Sequence, residues 1–451
     1  MKIILLSGGS GKRLWPLSGE VRSKTFLKLL PAPDGTRESM IQRVCRQLGE
    51  AGLLGSTTIV THHSQLELMR SQIGNVIPIL TESHKRGTLT AIALACTYLQ
   101  AQPEADPNES LIFMPVDPYV ETSFFELLRR LPSVLLSSKA NIALIGTRPT
   151  FPSTQYGYIV PEAAKSSKAE GYQRVAQFAE KPDLTQARSL LERGALWNCG
   201  VFAFSLRFIS EALLGYGLPE DYDQLVQLYE GLSEASFDKE IVEHTKNAVV
   251  VPYEGAWEDL GSWDTFTKHL GTDSIGPGSI SGDSQNTHLV SELDQPIHVI
   301  GVSNLIIAAN PDGILVASKE NSSRIKELDP GRSIMPSTTE YSWGSTRILR
   351  RSDPSKTPDE LISVVRVLQG KQFHELGRPG WKMIWTILSG SGQVTVKDHP
   401  RTVKSGDVFE IRPGIPYGIE ADAELEFVSI QLREPLPPAQ LPASTPPAPI
   451  D

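Results

Sequence analysis

Ser7-Gly8-Gly9-Ser10-Gly11-Lys12-Arg13-Leu14-Trp15-Pro16-Leu17-Ser18, with Lys24 a little further on, follows directly on the apolar run Ile3-Ile4-Leu5-Leu6. A buried strand here runs into a glycine-rich turn and then into two cationic side chains. Gly8, Gly9 and Gly11 let the backbone approach a ligand closely and aim N–H groups at it, which suits a phosphate anion. Arg13 and Lys24 place full positive charge beside that phosphate. The spacing is not that of a P-loop, because no Gly-Lys-Ser/Thr follows at the required distance. The third glycine of G-x-G-x-x-G is also missing, which disfavours a dinucleotide fold. The competing reading of the glycines alone is a tight connection with no ligand. The two cations and Trp15 weigh against it.

The chain has 451 residues, enough for about three domains. It is 40% hydrophobic and 21% charged, an ordinary globular composition that excludes wholesale disorder. A net charge of −9 argues against a nucleic-acid partner, while leaving room for a local basic pocket. Cys45, Cys96 and Cys199 are far apart and form no C-x-x-C pair, so neither a disulfide framework nor a zinc ribbon is expected. The N-terminal apolar run is too short for a signal peptide, and no apolar stretch is long enough to span a membrane. A cytoplasmic protein with no membrane partner is the expectation.

Up to about residue 265, short β-rich runs at 2–6, 57–61, 111–114, 141–147 and 247–252 alternate with helical stretches. These helices are expected near 38–50, 64–73, 88–101, 123–136, 183–193, 206–214 and 221–231. Such alternation predicts an α/β fold, a Rossmann-like, mostly parallel sheet covered on both faces. Ligands bind such sheets at the carboxyl ends of the strands, where the glycine turn lies. Near residue 272 the pattern changes to short runs at 287–290, 297–302, 305–309 and 313–317, separated by turn residues. From about 336, short strands punctuated by Gly390, Gly392, Gly406 and Gly414 predict a small β-barrel or jelly roll. Glu434–Asp451 is rich in Pro and Ala and reads as a disordered tail.

The stretch from Gly8 to Ser18, with its basic continuation at Lys24, resembles the signature of the sugar-1-phosphate nucleotidylyltransferases, and Trp15-Pro16-Leu17-Ser18 is most similar to the mannose-1-phosphate guanylyltransferase branch. Ser23 and Thr25 stand where that family has Pro and Gln. The resemblance implies transfer of GMP from GTP to α-D-mannose 1-phosphate, with release of pyrophosphate and dependence on Mg²⁺. It also implies a homodimer. The chemistry asks little of the protein covalently. A sugar phosphate is largely dianionic at pH 7, its second pKa being about 6, so no general base is required. What is required is positive charge at the triphosphate and carboxylates to hold the metal.

Asp117, at the end of Leu111-Ile112-Phe113-Met114-Pro115-Val116, keeps the acid of the family's Pro-Ala-Asp-His segment but not its histidine. Asp259, in Trp257-Glu258-Asp259-Leu260-Gly261-Ser262-Trp263, matches a Trp-x-Asp-x-Gly-Ser-Trp motif and completes the implied metal pair. Each alone is equally readable as a turn residue or a helix cap. Tyr156-Gly157-Tyr158-Ile159, Phe178-Ala179-Glu180-Lys181-Pro182 and Trp197-Asn198-Cys199-Gly200 resemble the family's sugar segments. They imply Glu180 and Asn198 on the sugar hydroxyls, Lys181 on the sugar phosphate, and Gly157 and Gly200 lining the pocket. Glu82, Arg86 and Thr88 persist in the segment that implies guanine recognition, where Gly87 replaces an asparagine and Thr90 a proline. A carboxylate accepts from guanine's N1–H and 2-amino group, which makes Glu82 the base reader.

The implied organisation is a nucleotidyltransferase domain over 1–270, a small β segment over 271–335 that is solenoid-like by the resemblance, and a cupin-like β-barrel over 336–433. In long members of the family such a barrel isomerises mannose 6-phosphate with a metal held by Gln, two His and Glu. Here Gln372 and His374 remain, but Leu376 and Pro379 occupy the other motif positions and Tyr417 replaces a later histidine. Isomerase activity is therefore expected to be absent. The alternatives are a different NTP and hexose-1-phosphate pair, a bifunctional enzyme with an active barrel, or a catalytically inactive regulatory subunit.

Overall fold

The computed structural model of the chain describes residues 1–9, 12–162, 171–327, 336–351 and 360–433. Gly11 and the 434–451 tail lie outside the described residues. The chain divides into two compact units, Met1–Gly331 and Arg332–Asp451.

The first unit is built on a nine-stranded sheet: β1 (Lys2–Leu6), β2 (Thr57–His62), β3 (Ile79–Glu82), β4 (Ser110–Pro115), β5 (Ile142–Thr147), β6 (Tyr158–Pro161), β7 (Gln173–Ala179), β8 (Leu196–Ser205) and β9 (Ala248–Tyr253). Their spatial order is β3-β2-β1-β4-β8-β5-β9-β7-β6. Seven strands run the same way, and only β7 and β8 are reversed. Alternate residues of each central strand enter opposite cores. Ile4, Phe113 and Leu144 pack with helix α1 (Gly87–Gln100) on one face. Ile3, Leu5, Ile112, Met114, Ala143 and Ile145 pack on the other face with the helices Met40–Glu50, Leu66–Ile73 and Ser123–Ser138. Burying each such aliphatic side chain contributes about 1.5–3 kcal/mol, so two filled faces hold the sheet against both helix layers.

The α/β expectation holds, but four strands, β3, β6, β7 and β8, were not foreseen. β8 lies antiparallel between β4 and β5, yet its sequence Leu-Trp-Asn-Cys-Gly-Val-Phe-Ala-Phe-Ser shows no clean alternation. Gly200, at φ +72°, breaks the period, and the register with β5 shifts between Asn198 and Phe202. Past the sheet, Pro118–Val120 and Trp257–Asp259 form a two-stranded antiparallel ribbon. Among the described residues no helix is long and apolar enough to cross a membrane.

Residues 274–318 belong to the same compact unit. The chain alternates between two parallel ladders, one joining Ser274–Ile275, His288–Ser291 and Leu305–Asn310, the other Gly278–Ile280 and Ile297–Val299. Gly313–Ser318 closes the first ladder antiparallel. Their inner residues Val290, Ile306, Ala308 and Leu315 share a core with Leu14 and Leu17 of the N-terminal segment. Asn310 Nδ2 donates to the Pro16 carbonyl at 2.8 Å, while its Oδ1 accepts from the Asp312 and Gly313 amides at 2.9 and 3.2 Å. Arg22 makes a two-pronged pair with Glu292, both contacts 2.7 Å. The β segment thus grips both flanks of residues 14–22.

The second unit is a jelly roll of β10 (Glu360–Val367), β11 (Gln372–Leu376), β12 (Trp381–Ser389), β13 (Ser391–Val396), β14 (His399–Lys404), β15 (Val408–Ile411), β16 (Pro416–Ala421) and β17 (Leu425–Arg433). They form two antiparallel sheets, β10-β17-β12-β15 and β11-β16-β13-β14, and the hairpin Thr338–Tyr341/Gly344–Arg351 extends the first at β10. This is the cupin-like barrel expected from the glycine-punctuated strands. Trp385, Tyr417, Phe427 and Val367 are buried between the sheets.

Replacing Asn310 by Ala leaves the Pro16 carbonyl and two turn amides without partners, each such loss costing about 1–3 kcal/mol. Asn310→Ala should lower the unfolding midpoint of the first unit by roughly 2–8 °C, read by differential scanning calorimetry. An unchanged midpoint would show that the clasp carries no stability.

Candidate active site

The carboxyl ends of β1, β2, β3 and β4 open on one edge of the sheet. Residues 12–27 lie across it, with short helical turns at Lys12–Leu14 and Lys24–Phe26. Ser23 and Thr25 are buried, and their hydroxyls bond each other at 2.7 Å, which fixes the turn that aims Lys24 inward. Lys24 Nζ lies 2.9 Å from Asp117 Oδ2 and 2.9 Å from Asp259 Oδ1. The ribbon explains how two acids so far apart in sequence meet: Asp259 pairs with Pro118, next to Asp117. Burial works against the Lys24 charge, but the two carboxylates overcome it and push the ammonium's pKa above its ordinary value. Lys24 is therefore a fixed cation. Arg13 borders the same spot, since a Cβ on Gly261 would meet both Asp259 Oδ2 and Arg13 Nη1, at 2.9 and 3.0 Å.

On the side of β2 and β3, Glu82 is buried at the end of β3, and a Cβ on Gly8 would lie 3.1 Å from its Oε2. The first glycine of the turn is thus the floor under this carboxylate. Tyr229 donates its hydroxyl to Glu82 Oε1 at 2.5 Å. Burial raises the Glu82 pKa, and the Tyr229 hydrogen bond and the Lys85 charge oppose the rise. Arg86 and Thr88 are turned toward residues 229–237. The Arg86 guanidinium donates to the Glu230 carbonyl, and Thr88 Oγ1 accepts from the Phe237 amide at 2.9 Å.

On the side of β6 and β8, Gly157 lies against Glu180 and Asn198: a Cβ there would come 2.6 Å from Glu180 Oε2 and 3.3 Å from Asn198 Cβ. Glu180 pairs with Lys181 at 2.9 Å, and Lys181 takes a left-handed φ of 45°. Asn198 Oδ1 accepts from the Gly200 amide at 3.0 Å, and its Nδ2 donates to Asp238 Oδ1 at 2.9 Å. A Cβ on Gly200 would press on Pro115 at 3.3 Å, which ties this pocket to the end of β4. Tyr156, Trp197 and Trp257 form an edge-to-face aromatic wall, with centroids 4.9 and 5.5 Å from Tyr156. The Tyr156 phenol is pushed up to about 12 by burial and by Asp259, against the pull of Lys24 and Arg13. It therefore stands between the sugar-side pocket and the cation centre.

A glycine turn, a caged lysine and two flanking carboxylate pockets converge on one sheet edge, and the family model described as Nucleotidyl transferase matches residues 2–273. The chain belongs to the nucleotidyl transferase family. It is 27% identical to mannose-1-phosphate guanylyltransferase RfbM of Salmonella typhimurium, covering 95% of this chain and 93% of that protein. It is 28% identical to alginate biosynthesis protein AlgA of Pseudomonas aeruginosa, over 88% of this chain and 85% of that one. A crystal structure from Thermus thermophilus, described as a mannose-1-phosphate geranyltransferase, superposes with a TM-score of 0.58 at 26% identity, covering 72% of this chain and 97% of that one.

In this nucleotidyl transferase the residues expected at the site are placed as follows: Arg13, Lys24, Asp117 and Asp259 at the centre, Glu82 against Gly8, Arg86 and Thr88 bonded to residues 230 and 237, and Gly157, Glu180, Lys181, Asn198 and Gly200 on the side of β6 and β8. Tyr156, Tyr229 and Asp238 join them without having been expected. Tyr156 adjoins Gly157 in a segment that resembles the family, but the other two sit in a stretch with no motif. Asp238 opens the charged triplet Asp238-Lys239-Glu240, and nothing in that stretch singles it out.

In the jelly roll, strand alternation decides the fate of the expected ligand pair. Phe373 packs inward with Trp385 and Tyr417, at centroid distances of 6.4 Å to each. Glu375 accepts from the Tyr417 hydroxyl at 2.5 Å. Gln372 and His374, one residue out of step, face the opposite way, and the His374 imidazole lies over Gly418. Together with Glu375, Thr395 and Pro416, His374 lines an outer-surface hollow of about 320 Å³.

Asp238 provides a pH test of the sugar-side pocket. Burial, and then repulsion from Glu180, raise its pKa to about 7, well above its unfolded value of 3.8. The folded state then holds a proton that the unfolded state has released between those values, so this contribution to stability falls as pH rises toward 7. Asp238→Asn should flatten the decline in thermal midpoint between about pH 4 and 7. An identical slope in the variant would show that Asp238 is ionised throughout.

Proposed function

We propose that this nucleotidyl transferase moves GMP from GTP to α-D-mannose 1-phosphate, forming GDP-mannose and pyrophosphate. The observation that carries the reading is the Lys24 ammonium held between Asp117 and Asp259 at the mouth of the glycine turn, with a carboxylate pocket on either side. The reading is supported by relatives that bear the guanylyltransferase name across nearly the whole length of this chain.

Asp117 and Asp259, which here share the Lys24 ammonium, are the carboxylates that would hold a magnesium ion, with phosphate oxygens and water completing its shell. When bound there, the ion supplies charge neutralisation for the phosphates. The chain's own residues supply the rest. The backbone at Gly8 and Gly9 lets the nucleotide come close, and Arg13 and Lys24 balance the charge of the departing pyrophosphate. Glu82 accepts from the base, with Arg86 and Thr88 shaping the wall behind it. Glu180 and Asn198 meet sugar hydroxyls, Lys181 meets the sugar phosphate, and Gly157 and Gly200 leave room for the ring. A phosphate oxygen of mannose 1-phosphate forms a bond to the α-phosphorus as the bond to the pyrophosphate oxygen breaks, and no proton need be moved. Charge placement and alignment are the whole of the catalysis.

Lys24→Ala should lower kcat/KM by on the order of 10²–10³. A change of less than about threefold would show that the triphosphate lies elsewhere. Pyrophosphate release measured over a grid of NTPs and hexose 1-phosphates tests the substrate pair. The reading fails if another pair is preferred over GTP and mannose 1-phosphate.

For the jelly roll we infer no mannose-6-phosphate isomerase activity. The reason is positive: aromatic rings occupy the interior, and Gln372 and His374 face outward. Conversion of mannose 6-phosphate to fructose 6-phosphate, assayed with added Co²⁺, Zn²⁺ or Mn²⁺, should stay at background. Turnover with any one of them overturns this inference.

A further inference from the structure

We propose that residues 229–238 act as a selectivity strap, in which Tyr229 is the positioning residue that sets Glu82 for base recognition. The proposal rests on the reading of Glu82 as the base reader and adds what holds it there. Five hydrogen bonds tie the strap to the nucleotide side. Tyr229 donates to Glu82 Oε1, and Arg86 donates to the Glu230 carbonyl. The Ala235 amide donates to the Arg86 carbonyl at 3.0 Å while its own carbonyl accepts from Leu89 at 3.1 Å. The Phe237 amide is capped by Thr88. At the far end, Asp238 accepts from Asn198 in the sugar-side pocket.

Gly87 makes this approach possible. It adopts φ +84°, and any Cβ at that position would strike the Ala235 carbonyl. The chain has thus given up a side chain at 87 so that the strap can descend on 86–89. Tyr229 is only 1% exposed and Glu82 4%, so neither can exchange this bond for one to water. The outcome is a carboxylate with its two oxygens assigned different tasks. Oε1 is consumed by the tyrosine, and Oε2 lies beside Gly8, facing the glycine turn. A single acceptor fixed in direction takes the N–H donors of guanine and repels the acceptor nitrogen that adenine offers in their place.

The arrangement requires an ionised Glu82. Its surroundings are Tyr229 from the strap, Lys85 from the loop that follows, His62 as its register partner on β2, and the Gly8 backbone. Burial favours the neutral acid, and the tyrosine hydroxyl is a main counterweight.

The test is Tyr229→Phe in the full chain, with initial rates for GTP, ITP and ATP at saturating mannose 1-phosphate from about pH 5.5 to 8.5. ITP lacks the 2-amino group and ATP reverses the hydrogen-bonding edge. The expected result is a loss of about 10–100-fold in kcat/KM for GTP, carried mainly by KM, with a smaller loss for ITP and little for ATP. The acidic limb of the GTP profile should also move to higher pH, because an unsupported Glu82 protonates sooner. Incorporating 3,5-difluorotyrosine at position 229 keeps the ring and strengthens the donor, so it should move the limb the other way even if the phenylalanine variant folds poorly. Equal losses for all three nucleotides with a fixed limb, or no loss at all, overturn the proposal. If the unaltered chain prefers another NTP, the guanine assignment fails by itself. Tyr229 is then judged by whether the variant erodes that preference, and an intact preference refutes its role.

Discussion

An ammonium held between two carboxylates, 2.9 Å from each, is the constraint around which the first unit is arranged. Two acids at that separation repel, and a part-buried lysine without partners would shed its proton. Each group is tolerable only because the others are present. The three come from the N-terminal turn, from the end of β4 and from the far strand of the ribbon, and only the finished sheet brings them together. The same contact therefore reports that the fold is complete.

Around this centre, the sheet brings carboxylate and amide side chains to opposite sides. β2 and β3 carry Glu82 to one flank, and β6 and β8 carry Gly157 and Asn198 to the other. The reversed strand β8 is what allows the second pocket to exist. A forward strand there would present its carboxyl end to the site, and its first residues, Trp197 to Gly200, would lie at the opposite edge. The break in its hydrophobic alternation, which hid it as a strand, is the bulge that lets Asn198 and Gly200 line a cavity.

Much of this was legible in the residues. The apolar runs of β1, β2, β4, β5 and β9 declare buried parallel strands because both faces need hydrophobic cover, and each lies within a residue or two of its expected place. The centre could be read because glycines, cations and acids stood in short segments with a strong resemblance. Edge strands such as Tyr158–Pro161 and Gln173–Ala179 escaped notice because their exposed residues blur the period. Tyr229 and Asp238 were illegible for a different reason. Their roles arise from contacts across 147 and 40 residues, and nothing local marks a tyrosine that will meet a buried glutamate or an acid that will meet an amide. The outward facing of Gln372 and His374 was equally hidden, since a motif match fixes residue identity and not which side of a strand a residue takes.

That orientation limits what single substitutions can do to the jelly roll. Along β11, neighbouring side chains point to opposite faces: Phe373 packs inward against Trp385 and Tyr417, while Glu375, itself exposed, accepts from the Tyr417 hydroxyl. A substitution at Leu376 would decorate the exposed face of β11, whereas Tyr417 stands in the buried core. Turning Gln372 and His374 inward would demand a slip of the whole strand by one residue, which would move Phe373 out of the core.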